Sequence, residues 1–188
     1  MAHVVKIVTS NPGKWEELYT MLSSRGLDCI WIRERVRELQ SEDLAEIVLA
    51  SGIEAYEKWG GGVLLEDSGL FVTALGGFPG PYSAYVFRTI GVKGLLKLME
   101  GVQDREAWFK SAICYISPDG SQSIFTGEVK GILAAEPRGT GGFGFDPIFI
   151  PAEGDGRTFA QMTVREKNLY SHRARAVQKL LKHLGLTG

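Results

Sequence analysis

Glu66-Asp67-Ser68-Gly69 sets two adjacent carboxylates and a hydroxyl between Val63-Leu64-Leu65 and Leu70-Phe71-Val72, two apolar triplets with strand character. Taking an ionised carboxylate out of water costs several kcal/mol unless a partner compensates it, so acids seldom sit inside apolar segments without a reason. Successive strand side chains point to opposite faces. Glu66 and Asp67 are therefore expected on different faces, each with its own partner. A strand end with a polar turn at Asp67-Ser68-Gly69 would explain the same residues without chemistry.

A second candidate is Thr9-Ser10-Asn11-Pro12-Gly13-Lys14, where a strand pattern feeds a helix pattern. A helix N-terminus presents unpaired N–H groups and the positive end of the macrodipole, and so can hold an anion. Lys14 adds a mobile charge beside those amides, and Thr9 and Asn11 add short polar groups. A triphosphate needs such a cradle, although the spacing is not that of a Walker A loop. A well-capped first helix with a solvated lysine is the plainer alternative. Phe143-Gly144-Phe145-Asp146 puts two aromatics in a glycine-opened loop, where a ring can stack on a nucleobase for about 1–3 kcal/mol. At least one of the two rings is expected in the core. On the C-terminal helix, Asn168 and His172 fall on one line, with Lys167 and Ser171 beside it and Arg173 at the border. A solvated helix face is the ordinary explanation of such a group, although histidine and serine are less typical of one than glutamate and lysine.

The elements that must position these residues follow from periodicity. Val4–Val8 reads as a strand, with Asn11 as N-cap and Pro12 opening a helix along Trp15, Leu18, Tyr19 and Leu22. A strand at Cys29–Ile32 and a helix from about Ser41 to Trp59 precede the strand that carries Glu66. Leu75–Tyr82 is punctuated by glycine and proline and is expected to be irregular, and a short helix with Leu95, Leu96, Leu98 and Met99 follows. Ala107–Ile116 and Gln122–Leu133 flank Ser117-Pro118-Asp119-Gly120, a strong hairpin signal. Thr163 and Glu166 form a capping box for a helix expected to run to about Leu184, with Ala174, Val177, Leu180, Leu181 and Leu184 on its core face. The pattern is α/β: one domain, 1–188, of two lobes, with a mixed sheet flanked by helices and a long β-hairpin.

Composition narrows the chemistry. With 188 residues, 44% of them apolar, the chain has room for a substantial core. Its 21 Lys plus Arg against 22 Asp plus Glu give a net charge of −1, which provides no overall field for a nucleic-acid backbone. Cys29 and Cys114 lack metal-ligand spacing and read as small buried hydrophobes in a reducing cytoplasm. His3, His172 and His183 cannot build a zinc site together. Any metal would be a hard cation held by carboxylates. No apolar run approaches about 18 residues, so neither a membrane span nor a signal peptide is expected.

Taken in order, these segments resemble the inosine triphosphate pyrophosphatase (Ham1-like) family over nearly the whole chain. The family's Thr-x-Asn-x-x-Lys-x-x-Glu opening stands as Thr9, Asn11, Lys14 and Glu17, and its acidic core as Glu66-Asp67-Ser68. Its Gly-Gly-x-Pro-Gly loop is Gly76 to Gly80, its Phe-Gly-aromatic-Asp-Pro segment is Phe143 to Pro147, and its Lys-Asn-x-x-Ser-His-Arg segment is Lys167 to Arg173. The resemblance implies a two-lobed fold with a central active-site cleft, commonly a homodimer, and Mg²⁺-dependent hydrolysis of ITP, dITP and XTP to the monophosphate and pyrophosphate. It implies Glu38 and Asp67 as metal ligands and Asp67, with Lys14, as catalytic. Thr9, Asn11, Lys14, Ser68 and Lys167 would bind phosphates, and Phe143, Asp146, His172 and Arg173 would recognise the base. One departure is Ser83-Ala84-Tyr85, where many bacterial relatives carry Ser-Ala-Arg. Two other functions share part of this signal. A sensor could hold a triphosphate without cleaving it, and the Maf-like pyrophosphatases prefer other bases; intact Asp67 and Glu38 speak against the first, and Ser171-His172-Arg173 favours purine over the second.

Overall fold

The turn that leaves β1 (Val4–Val8) is set by its own side chains. Asn11 Oδ1 accepts from the N–H groups of Gly13 (2.8 Å) and Lys14 (3.2 Å), and Pro12 opens α1 (Pro12–Ser23). The computed structural model of the chain describes residues 4–37 and 39–186. Beyond α1, β2 (Asp28–Ile32) pairs in parallel with β1, and α2 (Leu44–Trp59) begins under an Asp43 cap. A side chain at Gly52 would run into Cys114, so this glycine is what lets α2 lie close to the sheet.

β3 (Val63–Val72) runs unbroken through Glu66-Asp67-Ser68-Gly69, so the acidic pair is strand, not turn. β4 (Pro79–Gly80) lies antiparallel on β3, followed by α3 (Ser83–Thr89) and α4 (Gly91–Leu98). Leu75–Tyr82 thus holds a short strand where the sequence suggests only irregular chain. Ser83 Oγ anchors it, donating to Gly80 O at 2.7 Å and accepting from Leu70 N at 2.8 Å. β5 (Glu106–Ile116) and β6 (Gln122–Leu133) form the expected hairpin, and β7 (Phe149–Pro151) pairs antiparallel with β6. The seven-stranded mixed sheet has the order β2-β1-β3-β5-β6-β7, with β4 on β3.

The single C-terminal helix anticipated from Thr163 is two helices, α5 (Val164–Lys167) and α6 (His172–His183). The capping box forms, with Thr163 N donating to Glu166 Oε2 at 2.8 Å. After Lys167 the backbone tightens into i−3 bonds, Leu169 to Glu166 and Tyr170 to Lys167, and the α pattern stops.

Two compact units result. Unit 1 comprises residues 1–67, 111–127 and 173–188, and unit 2 comprises 68–110 and 128–172. Each has its own apolar core. Val5, Ile7, Leu18, Leu22, Leu64, Ile113 and Val177 lie in that of unit 1, and Leu70, Phe109, Val129, Phe145, Phe149 and Phe159 in that of unit 2. The chain passes from one unit to the other at Asp67–Ser68, Lys110–Ser111, Gly127–Glu128 and His172–Arg173.

Candidate active site

In unit 1 the functional side chains assemble around Lys14. Its Nζ lies 3.1 Å from Glu66 Oε2, 3.4 Å from Asp67 Oδ1 and 3.1 Å from the Glu66 carbonyl oxygen. The two carboxylates share this cation, because the ammonium rests against the strand backbone and reaches both side chains. The lysine is not solvated either: 17% of its side chain is exposed. Burial alone would depress its pKa, but the carboxylates of Glu66 and Asp67 outweigh that and hold it above the ordinary value.

The two acids differ in access. Glu66 is sealed, with 1% of its side chain exposed. It accepts from Ser111 Oγ at 2.6 Å and pairs with Arg173 at 3.1 Å. Asp67 keeps 21% exposure. Arg173 is itself buried and also pairs with Glu17, and these two carboxylates hold its guanidinium charge against the desolvation that opposes it. Among the described residues the Glu17, Glu66 and Asp67 carboxylates pair with Lys14 and Arg173, and Asp67 is the most exposed of the three. Thr9 Oγ1 accepts from Asn11 N at 3.1 Å, so both short polar residues organise the turn that delivers Lys14.

In unit 2 a second polar group is buried among aromatics. Asp146 Oδ2 accepts from Lys167 Nζ at 2.6 Å and from Phe143 N at 3.0 Å. The Lys167 ammonium sits over Phe143 (4.8 Å) and Phe159 (5.2 Å). Such contacts are worth about 2 kcal/mol when desolvated. Phe143 remains half-buried, while Phe145 enters the core, as one of the pair was expected to do. His172 stacks on Phe109 with ring centres 4.8 Å apart and planes 12° from parallel. Ser68, half-buried on β3, belongs to this unit.

The solvated helix face considered for Lys167, Ser171, His172 and Arg173 is excluded, since all four are buried. The break at Asn168–Ser171 turns them inward and leaves Leu169 outermost, 75% exposed. Glu38, the expected metal ligand, lies outside the described residues. Among the described residues no three His, Cys, Asp or Glu side chains group as a metal cage. A hard cation that keeps several waters and leans on substrate phosphates needs only one or two protein carboxylates, and an acidic cluster with Asp67 at its solvent edge fits that demand.

Sequence reasoning passed over four residues. Glu17 was quoted only as part of the opening motif, yet it anchors Arg173. Ser111 was legible, since it is the polar residue in the inward series Ala107, Phe109, Ser111, Ile113, Tyr115 of β5. Phe109 and Phe159, under His172 and Lys167, carried no signal beyond their apolar character.

The model of the Ham1 family matches residues 5–183. The chain belongs to the Ham1 family. It is 48% identical to the dITP/XTP pyrophosphatase of Hyperthermus butylicus, over 97% of this chain and 95% of that protein. It is 50% identical to the dITP/XTP pyrophosphatase of Thermococcus kodakarensis, over 94% and 95%. The Staphylococcus aureus Ham1 protein superposes with a TM-score of 0.79 at 30% identity, covering 96% of this chain and 98% of that one. A Ham1 protein from Coxiella burnetii gives 0.80 at 29% identity, over 97% and 100%.

Proposed function

We propose that this Ham1-family chain hydrolyses dITP, XTP and ITP to the nucleoside monophosphate and pyrophosphate, with Mg²⁺ as cofactor. The observation that carries this is Lys14 bridging a sealed Glu66 and an accessible Asp67 at the end of the Thr9–Lys14 turn. Water attacks the α-phosphorus, the bond to the bridging oxygen of the β-phosphate breaks, and pyrophosphate leaves. Asp67 takes the proton of that water, since it is the acid of the pair with solvent access. Glu66, enclosed by Ser111, Lys14 and Arg173, fixes the lysine. Lys14 stabilises the negative charge that develops on the leaving group, and Thr9, Asn11, Ser68 and Lys167 complete the phosphate contacts. Asp67, together with Glu38, would hold Mg²⁺, which would supply neutralisation of phosphate charge.

Base choice falls to Phe143, Asp146, His172 and Arg173. Hypoxanthine and xanthine offer a 6-keto acceptor and an N1–H donor, and adenine reverses both. A buried site that satisfies the first pattern leaves groups unpaired with adenine, which can cost about 10⁴-fold. Phe143 supplies the stacking ring and Asp146 holds its backbone. His172 and Arg173 supply N–H donors, Arg173 from a guanidinium fixed by Glu17 and Glu66. A homodimer and a cytoplasmic location belong to the same proposal. Among the described residues no helix is long and apolar enough to cross a membrane.

A panel of dITP, XTP, ITP, dGTP and dATP, assayed for pyrophosphate with and without Mg²⁺, tests the proposal. Pyrophosphate from the deaminated nucleotides, and little from dATP, is expected. Orthophosphate in its place, equal cleavage of dATP, or binding without turnover would each reject it.

A further inference from the structure

We infer that Trp31 is a positioning residue for the phosphate-binding segment Thr9–Lys14, holding both ends of that segment with one side chain. The inference rests on the function proposed above. Trp31 lies on β2 opposite Ile7 of the parallel strand β1, just before the chain turns away at Thr9. Its indole Nε1–H donates to the Thr9 carbonyl at 2.8 Å. Thr9 N donates in turn to Ile32 O at 3.1 Å, and Thr9 Oγ1 receives Asn11 N. The entry of the turn is thereby tied to β2 rather than left to the loop.

The same indole fixes the exit. Its ring stacks on Trp15, the residue after Lys14, with centres 5.1 Å apart and planes within 4° of parallel. Tyr19 extends the stack at 5.0 Å from Trp15, and the Arg33 guanidinium sits over the Trp31 ring at 5.3 Å. A half-buried tryptophan packed only for its area would need neither a donor aimed at the Thr9 carbonyl nor a flat partner on α1. The two contacts flank the six residues that bring Lys14 to Asp67, one at Thr9 and one at Trp15 just beyond Lys14. A misplacement of about 1 Å in such a group can cost about 10²-fold in rate.

Trp31→Phe keeps a ring for Trp15 and deletes the donor to Thr9. With dITP we expect kcat to fall about 10-fold while KM moves less than about 3-fold, because the displaced group acts on charge that develops in the transition state. XTP should show the same factor, since the phosphates are common to both. In a Lys14→Ala background the substitution should cost less than about 2-fold more, because residues acting through one another are not additive. A full 10-fold loss in that background, or an unchanged kcat in Trp31→Phe, overturns the inference. Trp15→Phe, measured in parallel, disturbs the stack from its other side and covers the case in which Trp31→Phe does not fold. It should show the same kcat-weighted loss, and wild-type kcat would count against the inference. Wild-type protein that releases no pyrophosphate from dITP or XTP rejects the proposed function and this inference together. An active wild type with indifferent tryptophan variants rejects this inference alone.

Discussion

Lys14 Nζ stands 3.1 Å from Glu66 Oε2 and 3.4 Å from Asp67 Oδ1, so one ammonium joins carboxylates that strand alternation sends to opposite faces of β3. The two acids are neighbours in sequence and unlike in environment. Glu66 is locked between two cations and a hydroxyl, whereas Asp67 meets solvent. Substitutions at these positions should therefore separate chemistry from stability.

Asp67→Asn removes the proton acceptor and leaves Lys14 paired with Glu66. Turnover of dITP should fall about 10²-fold or more, while unfolding free energy changes by no more than about 1 kcal/mol, the scale of a solvent-accessible ion pair. Pyrophosphate release and urea unfolding on one preparation check both halves. Near-normal turnover would remove Asp67 from the mechanism.

Glu66→Gln has the opposite profile. It leaves Lys14 and Arg173 facing each other with less compensation inside unit 1. Breaking a buried pair from one side costs about 3–5 kcal/mol, and a loss of that size is expected in urea unfolding. Arg173→Ala should be comparably destabilising, because it removes the buried guanidinium that pairs with both Glu17 and Glu66. A change in base selectivity in that variant must accordingly be read against its stability. A loss below about 1 kcal/mol in both variants would mean that the cluster does not hold unit 1 together.

Local signals made α1 and the hairpin legible. Asn11-Pro12 dictates a cap, and Ser117-Pro118-Asp119-Gly120 between alternating strands dictates a turn. The acidic pair was visible as chemistry but not as geometry, because the pairing of β3 between β1 and β5 makes Glu66-Asp67 strand, and the cation it meets lies 52 residues away in sequence. The C-terminal segment misled for a related reason. Helical spacing from Thr163 to Leu184 is continuous in type, and propensity alone does not register the burial that draws Lys167, His172 and Arg173 inward and breaks the helix between α5 and α6. Trp31 gave no sign at all, since its donor matters only once β2 lies beside β1.

The capping box of α5 titrates in acid. Hydrogen bonds from Arg157 first, and from Thr163, hold the Glu166 carboxyl down at about 2 against its ordinary 4.5. A depressed folded value means stability that is present above pH 4.5 and disappears as pH falls from 4.5 towards 2. Glu166→Gln keeps an acceptor for the box but removes the charge facing Arg157. Thermal midpoints of wild type and variant should thus converge as pH falls through that window. Parallel curves from pH 5 to pH 2 would show that this carboxylate contributes nothing there.

Asp146 ties Lys167 and the Phe143 backbone to one oxygen, and its loss should show in both stability and selectivity. Asp146→Asn keeps an acceptor but removes the counter-charge of the buried Lys167, whose ammonium still sits over the rings of Phe143 and Phe159. Those contacts, about 2 kcal/mol when desolvated, offset part of the 3–5 kcal/mol typical of a broken buried pair. A net loss of about 2–3 kcal/mol is therefore expected. With Phe143 less firmly held, the ratio of dITP to dATP turnover should narrow. Adding Lys167→Met removes the remaining buried charge in a side chain of similar length, and replacing both members of a buried pair by neutral groups is often close to neutral. The double variant should hence recover stability over Asp146→Asn while leaving selectivity impaired. A double variant less stable than Asp146→Asn would show that Lys167 is held by something other than this carboxylate.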